Sequence, residues 1–268
     1  MIHSAAIVSP KAIVAKSAKI GPFCIIGDGV KIGDNVNILS HVCIDGDTSI
    51  GDETTIYPFT IIGCAPQDLK YRNEKSCVRI GRRNVIREHV TIHRGTESGG
   101  MKTFIGDDCL LMVGVHVAHD CTVSNNVIMA NNATLGGHVV IGEYAVIGGL
   151  SAIHQFVKIG AHAMVGGFSG VDGDVIPYGS VAGPRANLLG INTRGLKRRG
   201  FDKDEVHGLR QAFQELFGEY SWDSVDNFSN RLDIVSKKFG SFKSVEEIVC
   251  FLRVDNTRPI CFPVACAK

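Results

Sequence analysis

Aliphatic residues return every six positions along most of this chain. Stepping by six from Ile2 gives Val8, Val14, Ile20, Ile26, Ile32, Ile38, Ile44, Ile50, Ile56 and Ile62, all Ile or Val. The rhythm resumes at Ile80, Ile86 and Ile92, and after a one-residue shift it runs from Ile105 through Leu111, Val117, Val123, Met129, Leu135, Ile141, Ile147, Ile153, Ile159 and Val165 to Val171. Neither a helix nor a simple hairpin sheet has a period of six. The residue two before each hit is nearly always small or β-branched, as at Ala18, Val36, Thr54, Val115, Ala133 and Ser151. Two positions apart on a strand is the same face. Each hexapeptide is therefore a short strand with two inward residues and a corner. Glycine often follows the aliphatic residue, as at Gly21, Gly33, Gly51, Gly106 and Gly160, where a tight bend with close backbone approach is expected. Such units stack as a parallel β-helix, three to a triangular coil, with coils about 4.8 Å apart.

Two stretches break the rhythm, at about 64–78 and 93–104. A repeat scaffold carries insertions as loops on one face, and such loops often hold binding residues. After Val171 the rhythm stops, and Pro177 and Pro184 punctuate an irregular link. The chain thus divides into a β-helix over 1–185 and a helical domain over 186–268. Three helices are expected, near Asp202–Gly218, Trp222–Phe239 and Ser244–Val254, the first with Val206, Leu209, Phe213, Leu216 and Phe217 on one stripe. Asp202 with Glu205, and Ser244 with Glu247, read as capping boxes. The tail is expected to cover the open end of the β-helix, and its basic run Arg194, Lys197, Arg198, Arg199 and Lys203 suits an anionic partner.

The lattice also places the chemistry. In His116-Val117-Ala118-His119-Asp120, Val117 points inward, so His116 faces out in mid-strand, and His119 and Asp120 take the corner. One 18-residue coil on from His119 is Gly137, and a second is Gln155; one coil on from Asp120 is His138. These residues gather on one edge of the prism, with His154 adjoining. Singly, each has an ordinary use: a solvated surface histidine, an aspartate bonding its own backbone, a glycine at a positive-φ corner. Together they make a base, a carboxylate to orient it and an amide that can donate to an oxyanion. With no Ser or Cys nucleophile beside them, the chemistry indicated is direct acyl transfer to a hydroxyl.

Composition excludes other classes. A formal net charge of +1 over 268 residues argues against a general nucleic-acid binder. The nine cysteines include no CxxC pair, and the odd count fits reduced thiols in a cytoplasm. Met1-Ile2-His3-Ser4 opens no signal peptide, and no run of 18 apolar residues predicts a membrane span.

Several blocks resemble the UDP-N-acetylglucosamine O-acyltransferases of lipid A biosynthesis: Gln67-Asp68-Leu69-Lys70-Tyr71, Thr91-Ile92-His93-Arg94-Gly95-Thr96, His116 to Val123, Ala130 to His138, Ile153-His154-Gln155-Phe156 and Gly195 to Phe201. The resemblance runs from the start to about residue 210. It implies a left-handed coil and a homotrimer with active sites in clefts between subunits. The implied reaction moves an R-3-hydroxyacyl chain from acyl carrier protein to the 3-position of UDP-N-acetylglucosamine, with no metal or bound cofactor. By the same resemblance His119 is the general base, Asp120 its orienting partner and Gly137 the oxyanion donor. Asp68, Lys70, His93, His116 and His138 would contact the sugar, phosphates or acyl donor, and Gln155, Asn192, Arg198 and Arg199 the nucleotide side. Gly167 falls where the family gauges acyl length, and a glycine there implies a long chain. Two alternatives use the same residues: a γ-type carbonic anhydrase with zinc held by three histidines across a subunit interface, for which His116, His119 and His138 are the candidates, and transfer to a 3-amino sugar.

Overall fold

The computed structural model describes residues 1–218, 225–254 and 257–264. Its first two-thirds is a three-sided prism. A first sheet of nine strands begins at Ile7–Val8, a second of eight at Ile13–Val14, and a third of ten at Lys19–Ile20. Consecutive hexapeptides visit the three sheets in turn, so every strand pairs in parallel with the one a full coil away. The register is the one the repeat requires: Val117 lies beside Leu135, Leu135 beside Ile153, and Ile153 beside Val171. The coil is a left-handed parallel β-helix.

The repeat hits from Ile20 to Val171 are buried and form one aliphatic column. Ile2, Val8 and Val14 are partly exposed because they sit at the open end of the prism. Burying such a side chain is worth roughly 1.5–3 kcal/mol, which is why the spacing is so regular.

The corners work differently from the expectation drawn from glycine. The left-handed backbone occurs three residues after the aliphatic hit, and non-glycine residues adopt it: Phe23 (φ 59°), His41 (59°), Asp120 (60°), His138 (64°) and His162 (59°). Apart from Gly63 (φ 81°), the glycine just after the hit lies outside the left-handed region and is needed for space. A Cβ on Gly51 would lie 2.5 Å from the Gly81 carbonyl oxygen of the next coil, and one on Gly160 would lie 2.3 Å from Pro177 N.

Both insertions leave the prism where the first sheet turns into the second. One joins Ile61–Cys64 to Cys77–Ile80, the other Thr91–His93 to Lys102–Ile105. The parallel stack ends in a hairpin, Gly179–Ala182 against Asn187–Ile191, which adds an antiparallel strand to the third sheet. The division at residue 185 falls inside this hairpin.

Four helices follow among the described residues: α1 Thr193–Arg198, α2 Lys203–Phe217, α3 Val225–Phe239 and α4 Lys243–Arg253. Trp222, the expected start of the third, lies outside the described residues. The α2 stripe is as expected, with Val206, Leu209, Leu216 and Phe217 buried and Phe213 packed beside them. Neither capping box forms. Asp202 does cap α2, accepting from Asp204 N at 2.7 Å. Glu205, however, accepts from the Ser244 amide at 2.8 Å and its hydroxyl at 2.6 Å, joining α2 to α4. Glu247 accepts from the Tyr178 hydroxyl and so ties α4 to the β-helix. Both glutamates serve tertiary joints rather than their own helix ends.

The chain then returns as a strap. Asp174 N donates to Pro259 O and Cys261 N to Asp174 O, both at 2.7 Å, extending the top of the second sheet. The eight cysteines among the described residues are all free. Among those residues, no helix is long and apolar enough to cross a membrane.

Candidate active site

The edge between the first and second sheets, the reaction edge, collects both insertions and three successive rungs: 119–120, 137–138 and 155–156. His138 N donates to His119 O at 3.0 Å, and Phe156 N to Gly137 O at 3.1 Å. The 18-residue step therefore predicted these neighbours correctly.

His119 and Asp120 are both buried. His119 Nδ1 lies 2.8 Å from Asp120 Oδ2. The carboxylate is an acceptor there, so Nδ1 carries a proton, and in the neutral ring Nε2 holds the lone pair. Asp120 is held from the other side by the second insertion. Thr96 N donates to its two oxygens at 3.0 and 3.1 Å, and Thr96 Oγ1 donates to Oδ2 at 2.6 Å. Its own amide donates to Thr103 Oγ1 at 2.9 Å. Burial alone would raise this carboxyl, but the bonds from His119 and Thr96, with the nearby His138, hold it below the usual carboxylate range. Asp120 thus stays ionised, which is what an orienting partner needs.

Gly137 has a specific reason to be glycine. A Cβ there would meet the His119 ring 2.5 Å from Cε1 and 2.6 Å from Nε2. Its backbone therefore passes directly over the nitrogen that is free to take a proton. Among the described residues its amide finds no acceptor.

The surrounding histidines are pushed towards the neutral form. His93 is buried and pushed down to about 4, first by burial and then by His116 and His119. His116 is lowered by burial and His119; its Nδ1 is 2.7 Å from Thr91 Oγ1, and its ring meets His93 edge-on at 5.0 Å. Burial also lowers His138, and His119 adds to this; Asp120 and Asp68 act the other way. Its ring stacks on Phe156 at 4.4 Å.

Other expected site residues lie elsewhere in the chain. Lys70 is exposed on the first insertion, where Asp68 Oδ1 accepts from its amide at 2.9 Å. Asn192 caps α1 at the edge between the second and third sheets, its Nδ2 donating to His162 O at 2.9 Å. Arg199 there donates to Tyr144 O at 2.5 Å and lies 3.4 Å from His162 Nδ1, while Arg198 is exposed. With Met164 and Val146 they line a cleft of about 930 Å³. Gly167 sits on the remaining edge, 3.3 Å in Cβ terms from Gly149 O. The three groups occupy three different edges of one prism.

Spacing missed Thr96, Thr103, Gly95 and Gly99. Gly95 and Gly99 leave room for Asp120: Cβ atoms on them would fall 2.7 Å from its Oδ1 and 2.0 Å from its Cγ. The usable signal was a Thr and two glycines packed into one off-rhythm insertion. As for a metal, His119, Asp120 and His138 could offer ligand atoms within 4.8 Å of one another. Both Asp120 oxygens are already engaged by Thr96 and His119, however. Within one chain His116 lies outside this group.

The pattern of the family described as UDP N-acetylglucosamine O-acyltransferase, domain 2, matches residues 174–261. That of the bacterial transferase hexapeptide (six repeats) matches 11–46 and 102–137. The acyl-[acyl-carrier-protein]–UDP-N-acetylglucosamine O-acyltransferase of Caulobacter vibrioides is 47% identical over 98% of this chain and 98% of its own length. The chain belongs to the UDP-N-acetylglucosamine O-acyltransferase family. Solved structures of the family agree. The Moraxella catarrhalis enzyme superposes with a TM-score of 0.91 at 39% identity, covering 97% of this chain and 98% of its own. The UDP-N-acetylglucosamine acyltransferase of Francisella novicida gives 0.92 at 35%, covering 98% and 95%.

Proposed function

We propose that this chain transfers an R-3-hydroxyacyl group from acyl carrier protein to the 3-hydroxyl of UDP-N-acetylglucosamine, the first step of lipid A biosynthesis. His119 Nε2 takes the proton of the acceptor hydroxyl as its oxygen attacks the thioester carbonyl. Asp120 accepts from Nδ1–H and stabilises the imidazolium. The Gly137 amide donates to the oxyanion that forms. Collapse of the tetrahedral intermediate expels the phosphopantetheine thiolate, and His119 returns the proton to it. The acyl chain arrives on the carrier protein, and no further cofactor enters the scheme. General base assistance of this kind is typically worth 10²–10⁴-fold. The observation that carries the reading is Gly137, whose backbone lies over His119 Nε2 while Asp120 holds the other ring nitrogen.

The separation of site residues onto three edges supports a homotrimer, in which neighbouring chains bring Asn192, Arg198, Arg199 and Gly167 to the cleft beside His119. Asp68, Lys70, His93, His116, His138 and Gln155 then line the acceptor and donor side. The chain acts in the cytoplasm, where acyl carrier protein and the nucleotide sugar meet.

A mass-resolved assay with a ladder of 3-hydroxyacyl carrier proteins tests this. Transfer to UDP-N-acetylglucosamine is expected, best with long chains, and Gly167→Met should move the preference to shorter ones. Transfer only to the 3-amino sugar, or activity that requires stoichiometric zinc, would overturn the reading.

A further inference from the structure

The reaction edge is also bound to a residue more than a hundred positions away. Arg258, half-buried on the returning strap, donates from Nε to Gln155 O at 3.0 Å. That carbonyl shares a peptide group with Phe156 N, which donates to Gly137 O. The Gly137 carbonyl shares one with His138 N, which donates to His119 O. The His119 carbonyl shares one with Asp120 N, which donates to Thr103 Oγ1. Three peptide groups are thus hydrogen-bonded head to tail through the rungs that carry the oxyanion donor and the base, and a guanidinium ends the row. Chains of such bonds polarise one another.

The same guanidinium fixes a side chain. Arg258 Nη2 lies 2.6 Å from His154 Nδ1. Arginine only donates and does not give up its charge, so His154 Nδ1 is the acceptor and the ring's proton is on Nε2. The Gln155 carbonyl is also 3.3 Å from Nδ1, but it would be bonded only if Nδ1 carried the proton, which the guanidinium excludes. His154 is exposed, so its Nε2–H is a donor facing solvent beside the candidate site.

We propose that Arg258 is a positioning residue, which clamps the Gln155 rung to the row of peptides beneath it and locks His154 as an Nε2–H donor for the oxygens of the nucleotide-sugar acceptor. The proposal rests on the function given above only for what binds there; the tautomer does not depend on it.

The test uses the full-length chain with Arg258→Ala and Arg258→Lys, and Ile260→Ala as a control that loosens the strap but keeps the guanidinium. Long-range ¹H–¹⁵N spectra should show His154 as the Nε2–H tautomer in the wild type and as a mixture in Arg258→Ala. The KM for UDP-N-acetylglucosamine should rise about fivefold to tenfold, with kcat within about threefold. Arg258→Lys should recover only part of this, because an ammonium cannot hold both acceptors in one plane. Ile260→Ala should lower the melting temperature and leave tautomer and KM unchanged. A protonated or Nδ1–H His154 in the wild type overturns the proposal, as does an unchanged KM in a folded Arg258→Ala chain. A wild type with no transferase activity but the expected tautomer would instead sink the functional reading and leave the clamp standing.

Discussion

All three edges of the prism carry histidines at left-handed corners, with His41 and His89 on the edge between the third and first sheets; the other two edges differ in what surrounds the ring. On the reaction edge His138 stacks on Phe156; on the edge between the second and third sheets, His162 stacks between Tyr144 and Tyr178 at 4.9 and 5.2 Å. His93 on the first edge and His162 on the second are both pushed down to about 4, chiefly by burial. Ring stacking at an aromatic corner and a histidine depressed by burial thus occur on both edges. The difference is in what faces the imidazole. His162 meets Arg199 and is covered edge-on by Phe201 at 5.0 Å. His119 has an ionised carboxylate on one nitrogen and a bare glycine backbone over the other. His119 takes its carboxylate partner from its own rung and its glycine from the next one.

Substitutions can break that contrast. Short of removing His119 itself, the largest effect is expected from Asp120→Asn, which removes the carboxylate charge and replaces one of the two oxygens that accept from His119 and Thr96 with an NH2 donor. Its kcat should fall on the order of 10²-fold, with an unchanged far-ultraviolet circular dichroism spectrum. Gly137→Ala comes next. A Cβ at 2.5 Å from the imidazole must displace it, and kcat should drop roughly tenfold or more, since misplacement of about 1 Å is known to be that costly. On the other edge, His162→Ala should keep kcat within about threefold while removing buried ring contacts. A loss of about 1–2 kcal/mol is expected, read as a melting point lower by roughly 2–8 °C. A His162→Ala chain as inactive as Asp120→Asn would erase the distinction between the edges.

The smallest effect is on acid stability, and both edges share it. His93 and His162 have folded-state values near 4 against an ordinary 6.5. The unfolded chain therefore binds more protons between those values. Stability should be flat above pH about 6.5 and fall as pH drops from there towards 4. Urea midpoints at pH 7 and pH 5 check this, and His162→Gln should reduce the gap between them.

The sequence made the prism legible because one physical demand, an aliphatic residue in every short strand, repeats without exception from Ile20 to Ile62 and again from Ile105 to Val171. A lattice that regular also predicts contacts between rungs, which is how Gly137 and His138 could be set beside His119 and Asp120. Contacts made from off-lattice segments were out of reach. Thr96 reaches Asp120 from an insertion, and Arg258 reaches Gln155 from a strap that returns after four helices; neither has a register to count. The capping boxes misled for a related reason. A Ser or Asp with a Glu three residues on looks the same whether the Glu closes its own helix or, like Glu205 and Glu247, bonds Ser244 and Tyr178 far away in sequence. Helix α1 was missed because six residues are too few for a period, although Asn192 at its start and Gly200 after its end (φ 74°) were signals of its limits.

The central claim is that proton transfer at His119 Nε2 drives acyl transfer on the reaction edge. The most direct measurement is mass-resolved turnover of the His119→Ala chain with saturating 3-hydroxyacyl carrier protein and UDP-N-acetylglucosamine, beside the wild type. The account predicts a kcat at least ~10²-fold lower with the melting temperature preserved. A folded His119→Ala chain that turns over within a few fold of the wild type would contradict it.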